Sequence, residues 1–157
     1  MKKKIKIISI FIFSILLVSC GFKQINQNNK NLIYIQKINI IGERRISYIL
    51  KNNILLISDK NSKNKYQIEI AIKQKKSNKI INAVGKVTRY NLSITTDVNL
   101  KNIDNKENIN KTFSRSNTYN VSKDHSDTIN NEKNSVKNII QQLSDDIINF
   151  ITLLNKN

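Results

Sequence analysis

Alternation of apolar and polar residues is the clearest pattern in the middle of the chain. In residues 66–74 the apolar side chains of Tyr66, Ile68, Ile70 and Ile72 share one parity, and residues 86–100 repeat that alternation. Successive side chains of a strand point to opposite faces of a sheet, so each segment predicts a strand with one buried face. Residues 32–40, rich in β-branched and aromatic side chains, and residues 112–121 predict two further strands.

Two other segments repeat apolar residues every three or four positions, which is typical of amphipathic helices. The first is residues 43–57, with Gly42 as the predicted N-cap and Glu43 in the first turn. The second is the C-terminal segment to about residue 154, with Asp124 or Ser126 as its N-cap. Its predicted core-facing stripe is Val136, Ile140, Leu143, Ile147, Phe150 and Leu154.

The predicted order is therefore β-α-β-β-β-α. Strands that follow one another through short loops favour antiparallel pairing, and helices collected on one side cover one face of such a sheet. We expect an α+β fold, a two-layer sandwich of a four-stranded, mostly antiparallel sheet with two helices on one face.

The N-terminus carries a targeting pattern. "MKKKIK" is followed by twelve uncharged residues, 7–18, a run shorter than the roughly 20 apolar residues that a bilayer span requires. A basic start, a short apolar region and small residues at its end are typical of a secretory signal peptide; the alternative is a signal-anchor helix with an incidental cysteine. Cys20 is the sole cysteine, so no disulfide can form within one chain.

The sequence Leu17-Val18-Ser19-Cys20 resembles the bacterial lipobox. That resemblance implies attachment of diacylglycerol to the Cys20 sulfur, cleavage before it and acylation of the new N-terminus. Several acyl chains would form an effectively permanent membrane anchor. Gly21 and Phe22 follow the cysteine, which by resemblance favours outer-membrane delivery over retention in the inner membrane.

These features divide the chain into three parts. We expect residues 1–19 to be a removed lipoprotein signal peptide and residues 20–31 to be a lipidated N-terminus and polar tether. Residues 32–157 then form the folded domain.

The formal net charge of +16 invites a search for an anionic partner. The chain has 23 lysines but only four arginines, and they are scattered, without the stripes or clusters of nucleic-acid-binding domains. Its 30 isoleucines and 26 asparagines, like the lysines, are residues with A/T-rich codons, so part of the charge reflects base composition. We therefore expect no nucleic-acid partner and a general preference for anionic lipids.

Catalytic chemistry lacks the necessary residues. His125 is the sole histidine and lies in a polar segment, where an exposed residue near a helix cap is expected rather than a general base. One histidine and one cysteine cannot build the usual zinc site. Asp145 and Asp146 are adjacent in a helix and point apart, and three scattered glycines make no phosphate-binding loop. We expect no enzyme activity, no metal and no cofactor beyond the lipid on Cys20.

Binding is the function class that remains, and the candidate binding residues are basic. The segment "KQKKSNKIINAVGK" and the strand after it carry the candidate anionic-lipid contacts Lys75, Lys76, Lys79, Lys86 and Arg89. The alternative is a solvated hairpin whose lysines reflect codon usage.

Several soft motifs together resemble the lipopolysaccharide-assembly lipoprotein family, the plug subunit of the outer-membrane lipopolysaccharide translocon. They are "CGF" at 20–22, "RISYILKNN" after the first strand, "TRYNLSITTDVNL" and "FSRSNTYNVSKDHS" before the last helix. The helix cadence at 142–147, "QLSDDI", also matches. The resemblance covers nearly all of the chain after Cys20.

The resemblance implies a domain seated inside a large outer-membrane β-barrel, anchored by lipid on the periplasmic side. It further implies a role in assembling that barrel and in delivering lipopolysaccharide to the outer leaflet, with the five basic residues above as regional matches to lipopolysaccharide contacts. Two alternatives remain: an auxiliary lipoprotein of an ABC-type lipid transport system, and a structural envelope lipoprotein.

Overall fold

The computed structural model describes residues 33–154, which form one compact unit. Cys20, the predicted signal peptide of residues 1–19 and the tether of residues 20–31 lie outside the described residues. The elements are β1 (Tyr34–Ile41), α1 (Arg44–Leu55), β2 (Lys65–Ile81), β3 (Val87–Asn102), β4 (Asn108–Asn120) and α2 (His125–Leu154).

The four strands form one mixed sheet in the order β1-β2-β3-β4. β2, β3 and β4 pair antiparallel through short turns, whereas β1 pairs parallel with β2 because α1 carries the chain back between them. This confirms the predicted α+β fold, the β-α-β-β-β-α order and the mostly antiparallel sheet.

The core lies between the sheet and the helices. The alternating residues of β2 and β3 that the sequence assigns to a buried face are buried, among them Ile68, Ile70, Leu92 and Ile94, except that Tyr90 is half-buried. From the other layer, Ile46, Leu50 and Ile54 of α1 and Ile140, Leu143 and Ile147 of α2 meet them. None of the helices in the described part is long and apolar enough to cross a membrane.

The start of α1 differs from the prediction. Glu43, not Gly42, occupies the N-cap position, and no side chain caps the helix. Gly42 has φ +148° and lies against Ile72 of β2, where an added Cβ would come within 2.8 Å of the Ile72 Cβ. Glycine is therefore required at this position by close approach of two backbones and not by helix capping.

The start of α2 agrees with one of its two predicted N-caps. Asp124 precedes the helix and its Oδ1 accepts a hydrogen bond of 2.8 Å from the backbone N–H of Ser126, so Asp124 is the N-cap and Ser126 lies inside the helix. Two polar residues join the buried face of this helix, Ser135 and Ser144. Ser144 Oγ accepts a 3.0 Å hydrogen bond from Asn53 of α1, which ties the two helices together.

β2 extends further than predicted. The sequence favours its end near Gln74, but the strand continues to Ile81 and stays paired with β3, with Lys75 opposite Ser93 and Ser77 opposite Asn91. Polar residues can extend a strand when a neighbouring strand supplies ladder hydrogen bonds along one edge, as β3 does here. The lysine-rich segment is thus largely strand, and only residues 82–86 form the turn.

Candidate functional site

The outer half of the β2–β3 hairpin is the most exposed ordered part of the described residues. Residues 73–86 are all exposed, and Ile80, Ile81 and Val84 leave 44%, 54% and 84% of their surface open. Cations flank these apolar side chains. We call residues 75–89, which carry all five predicted basic candidates, the basic hairpin.

The turn of the basic hairpin is an ordered structure. Asn82 Oδ1 accepts hydrogen bonds from the backbone N–H groups of Val84, at 3.2 Å, and Lys86, at 2.8 Å. The backbone of Asn82 also pairs with that of Lys86 at 2.9 Å, and Gly85 adopts the left-handed conformation with φ +80°. One asparagine side chain therefore holds Val84 outward at the tip.

Lys76 is tied into the body of the domain. Its Nζ donates a 2.7 Å hydrogen bond to Glu132 Oε2 of α2 and lies 4.4 Å from the centroid of the Tyr90 ring. The hydroxyl of Tyr119 donates to the same carboxylate oxygen at 2.8 Å. A lysine over an aromatic face beside a carboxylate gains both cation–π and ionic attraction, so this cluster joins β2, β3, β4 and α2.

The ionisation of the cluster follows from these contacts. Burial works against the charge of Lys76, but hydrogen bonds to Glu132 and Tyr119 outweigh it and raise the pKa of Lys76 above 10.5. Burial likewise opposes the charge of Glu132, yet the hydrogen bonds from Lys76 and Tyr119 lower the pKa of Glu132 below 4.5. Burial raises the pKa of Tyr119, so its hydroxyl remains a donor. At neutral pH the cluster holds one cation, one anion and a neutral phenol.

Arg89 is partly engaged as well. Its Nε donates a 2.8 Å hydrogen bond to Asn120 Oδ1 on β4, directly across the ladder. Among the residues that the structure describes, no carboxylate lies within ion-pair distance of Lys75, Lys79 or Lys86. Of the five predicted candidates, these three are therefore the cations most available to a ligand.

The structure places the five candidates on one hairpin but not on one face. Lys75 lies opposite Ser93 and Lys76 opposite the buried Leu92, so the two adjacent lysines point to opposite sides of the sheet. Lys79 sits at an irregularity in the β2–β3 register, and Lys86 belongs to the turn. The candidate surface therefore surrounds the hairpin, and one of its members serves the fold.

The sheet face away from the helices is polar. Its central strand presents Asn91, Ser93, Thr95, Asp97 and Asn99, all half-buried, and Thr95 and Asp97 bond to Ser114 and Thr112 of β4. Lys73 pairs with Asp97 at 3.3 Å. None of the described elements covers this hydroxyl- and amide-rich face, which suits it to a polar environment.

Sequence reasoning missed the partners of Lys76. Tyr90, Tyr119 and Glu132 are far apart in the sequence, and the alternation in residues 86–100, which includes Tyr90 among its apolar positions, was the available signal. Glu132 could be placed in an opening turn of α2, but its pairing with β2 depends on how α2 crosses the sheet. Periodicity within each element contains no information on that crossing.

Solved structures with this two-layer fold are lipoproteins by description. A Caulobacter crescentus protein described as a lipoprotein superposes with a TM-score of 0.61 at 16% identity, covering 82% of this chain and 96% of its own. Rare lipoprotein B from Shewanella oneidensis superposes with a TM-score of 0.60 at 12% identity, covering 77% of this chain and 97% of its own. Lipoprotein B from Nitrosomonas europaea superposes with a TM-score of 0.54 at 14% identity, covering 80% of this chain and 85% of its own. At such low identity these likenesses establish a shared fold.

The family follows from a sequence model. No curated protein sequence matches the chain significantly. The model of the LptE family, described as lipopolysaccharide-assembly, matches residues 44–151, from the first residue of α1 almost to the end of α2. That span is well over half of the chain, and the chain belongs to this family. Its function is therefore in lipopolysaccharide assembly, as the resemblance indicates.

Proposed function

We propose that this protein is anchored to the periplasmic side of the outer membrane by lipid on Cys20. There it plugs and helps to assemble the β-barrel lipopolysaccharide translocon and assists the delivery of lipopolysaccharide to the outer leaflet. The observation that carries the proposal is the match to the lipopolysaccharide-assembly family over residues 44–151. It acts by binding: the residues that the described domain leaves open to a ligand on the basic hairpin and on the polar sheet face are mostly cations, amides and hydroxyls.

The polar sheet face supports the plug role. The interior of a large outer-membrane barrel is lined by polar side chains and filled with water. The hydroxyls and amides on the open face of β3 and β4 can exchange hydrogen bonds with such a wall without burying unpaired charge. Asp97 already has Lys73 and Thr112 as partners, so it can enter an interface without losing its neutralising cation.

The barrel partner is tested by co-purification. We expect the tagged, full-length chain to recover a large outer-membrane β-barrel protein after mild detergent extraction, and depletion of the chain to reduce both barrel maturation and surface lipopolysaccharide. Recovery of an inner-membrane ABC transporter, with barrel and surface lipopolysaccharide unchanged, would contradict the proposal and favour an auxiliary transport lipoprotein.

The lipid anchor is tested by the substitution Cys20→Ser. Only a cysteine thiol accepts the diacylglycerol, so we expect the variant to lose incorporation of labelled palmitate and to leave the membrane fraction or remain as a larger, unprocessed form. Labelled palmitate in the variant would show that the acyl chains are attached elsewhere.

The basic hairpin is tested with purified lipopolysaccharide. Replacing Lys75, Lys79 and Lys86 by alanine removes three hairpin cations that have no carboxylate partner among the described residues. The control Lys60→Ala, Lys63→Ala removes two exposed lysines from the loop before β2. We expect the triple variant to bind roughly tenfold more weakly at low salt and the difference to shrink as salt rises, because exposed charges are screened. Equal weakening by the control would leave only a general effect of net charge.

A further inference from the structure

A polar groove of about 280 Å³ lies between the end of β4 and the first half of α2. Eight residues line it, and five of them are asparagines, although asparagine makes up only 26 of the 157 residues of the chain. Codon usage raises asparagine everywhere and does not account for such a local concentration. The residues used below are Asn117, Asn120, Asn131, Asn134, Asn138 and Ser135.

The groove is also free of formal charge. None of its eight lining residues is a lysine, arginine, aspartate or glutamate, in a chain that carries 27 basic and 11 acidic residues. A site for phosphate or carboxylate groups would present cations. This groove therefore suits a ligand that is polar but uncharged.

The amides of the groove supply both kinds of hydrogen-bonding group. Asn131, Asn134 and Asn138 recur at steps of three and four, which places them along one face of α2. Asn131 uses its Nδ2 to bond the Asn120 carbonyl at 3.2 Å and Ser122 Oγ at 3.3 Å, which leaves its Oδ1 as an acceptor. Asn134 and Asn138 are exposed, and no described group bonds their amides.

The strand side contributes donors. The Oδ1 of Asn117 accepts the backbone N–H of Thr118 at 2.8 Å, and the Oδ1 of Asn120 accepts from Arg89 at 2.8 Å. Both amides are thus oriented with their NH2 groups as the remaining donors. A hydroxyl group donates one hydrogen bond and accepts others, so a row of hydroxyls matches mixed amide donors and acceptors better than any single charged group does.

A second observation concerns Ser135, which lines the same groove. It is 3% exposed, and its Oγ has no hydrogen-bond partner among the described residues. Burying an unbonded hydroxyl is unfavourable, and such groups are uncommon in native structures. By contrast Ser144, two and a half turns further along α2, bonds both Ile140 and Asn53.

We propose that this groove binds a neutral saccharide, held by the asparagine amides that line it above the buried Ser135 hydroxyl. The chemistry that it recognises is a sequence of sugar hydroxyls, from either a lipid-linked or a free oligosaccharide. The identification of the ligand as the neutral oligosaccharide region of lipopolysaccharide rests on the proposed function. Arg89 borders the groove through Asn120, so a glycolipid bound by the basic hairpin would have its sugars beside these amides.

The groove is tested by nuclear magnetic resonance on the labelled full-length protein in detergent, with three probes. They are a dephosphorylated neutral oligosaccharide released from lipopolysaccharide, the unrelated glucan maltoheptaose, and inorganic phosphate. We expect the first probe to shift the side-chain amide signals of Asn134 and Asn138 but not that of Asn149, which is exposed on α2 outside the groove. An equal response to maltoheptaose supports a site for free saccharides in general, and a weaker one supports selectivity for the sugars that lipopolysaccharide carries. Shifts caused by phosphate but by neither sugar would overturn the proposal, and so would the absence of shifts with all three probes.

Matched variants test the residues. We expect Asn134→Ala with Asn138→Ala to weaken oligosaccharide binding roughly tenfold, the effect of losing hydrogen bonds to the ligand. The control, Asn130→Ala with Asn149→Ala, alters exposed positions of the same helix and should bind normally. Equal loss in both variants contradicts the assignment.

These results are separable from the proposed function. A groove that binds no sugar in a protein that still recovers its barrel refutes only this inference. Sugar binding by a chain that recovers no barrel refutes only the plug role.

Discussion

Gly42 and Gly85 both have positive φ but face different surroundings. An added Cβ at Gly42 would lie 2.8 Å from the Ile72 Cβ and 3.1 Å from the Ile72 carbonyl oxygen, whereas nothing lies within 4 Å at Gly85. Neither neighbour of Gly42 is the end of a flexible side chain, so the clash can be relieved only by moving β1 or β2.

We therefore expect Gly42→Ala to lower the free energy of unfolding by about 2–4 kcal/mol, since backbone strain adds to overpacking in the core. Gly85→Ala carries the backbone strain alone and should cost about 1–2 kcal/mol. Denaturant unfolding of the two variants measures the difference. Equal losses would show that the contact with Ile72 has little effect.

The two buried serines of α2, Ser135 and Ser144, allow a second comparison of two substitutions. Ser144→Ala leaves the amide of Asn53 without its partner and should cost about 1–2 kcal/mol, whereas Ser135→Ala removes a hydroxyl that bonds to no described group and should be neutral or stabilising. Thermal unfolding of the two variants tests this. A clear destabilisation by Ser135→Ala would mean that its Oγ is hydrogen-bonded in the folded protein.

At the scale of elements, α2 is held to the sheet by two carboxylates. Glu132 accepts hydrogen bonds from Lys76 and Tyr119, and Asp146 accepts two from Arg115, at 2.6 and 2.7 Å. The hydrogen bonds from Arg115 lower the pKa of Asp146 below its ordinary value of 3.8. Both carboxyl groups thus have lower pKa values in the folded state than in the unfolded state.

This difference predicts acid sensitivity. The unfolded state binds protons more readily, so the stability from these pairs is fully present above about pH 5 and is lost as the pH falls below 4.5 and then 3.8 through the lower folded pKa values. We expect Glu132→Gln with Asp146→Asn to be less stable at pH 7 and to show a shallower loss of stability between pH 5 and pH 3. Parallel pH profiles for variant and parent would contradict this.

The elements themselves were largely predictable, and their pairing was less so. Alternation in β2 and β3 identified most of their buried residues, because each strand buries one face. The three- and four-residue steps of α2 identified Ile140, Leu143 and Ile147 but not Ile139 and Ile151, which are also buried. The extension of β2 beyond Gln74 was missed since its lysines and asparagines have low strand propensity and depend on β3 for support. The parallel pairing of β1 was missed for a related reason: periodicity describes one element and not its neighbour.

The sequence located the candidate lipid contacts in the fold by region and not by residue, and their contact with a ligand stays a prediction. Lysine density identified the basic hairpin, but strand geometry sends Lys75 and Lys76 to opposite sides, and the sequence alone could not assign Lys76 to the ion pair with Glu132. No sequence pattern indicated the asparagine groove, because its residues come from both β4 and α2 in a chain that is already rich in asparagine.

At the scale of the whole molecule, the protection of backbone amides from solvent exchange should decrease along β2 and β3 towards the hairpin end. Residues 92–100 have a strand on each side and helices above, whereas residues 78–88 form an exposed two-stranded end. We expect backbone amides at 92–100 to exchange with solvent more slowly than those of the hairpin end, by on the order of a thousandfold or more. Hydrogen exchange followed by nuclear magnetic resonance measures this, and equal protection of the hairpin end would contradict it.

The parallel pairing of β1 with β2 has a mechanical consequence. The chain enters the described domain at Ile33, one residue before Tyr34, which pairs with Lys65 at the start of β2. The turn of the basic hairpin lies at the opposite end of β2, about 50 Å away at the rise of a strand. If a membrane anchor upstream of Ile33 pulls while a partner holds the hairpin end, the force runs along the strands. Such a load shears all of the β1–β2 hydrogen bonds at once and does not unzip them singly, so the domain resists tension in the direction in which a tethered plug would be pulled.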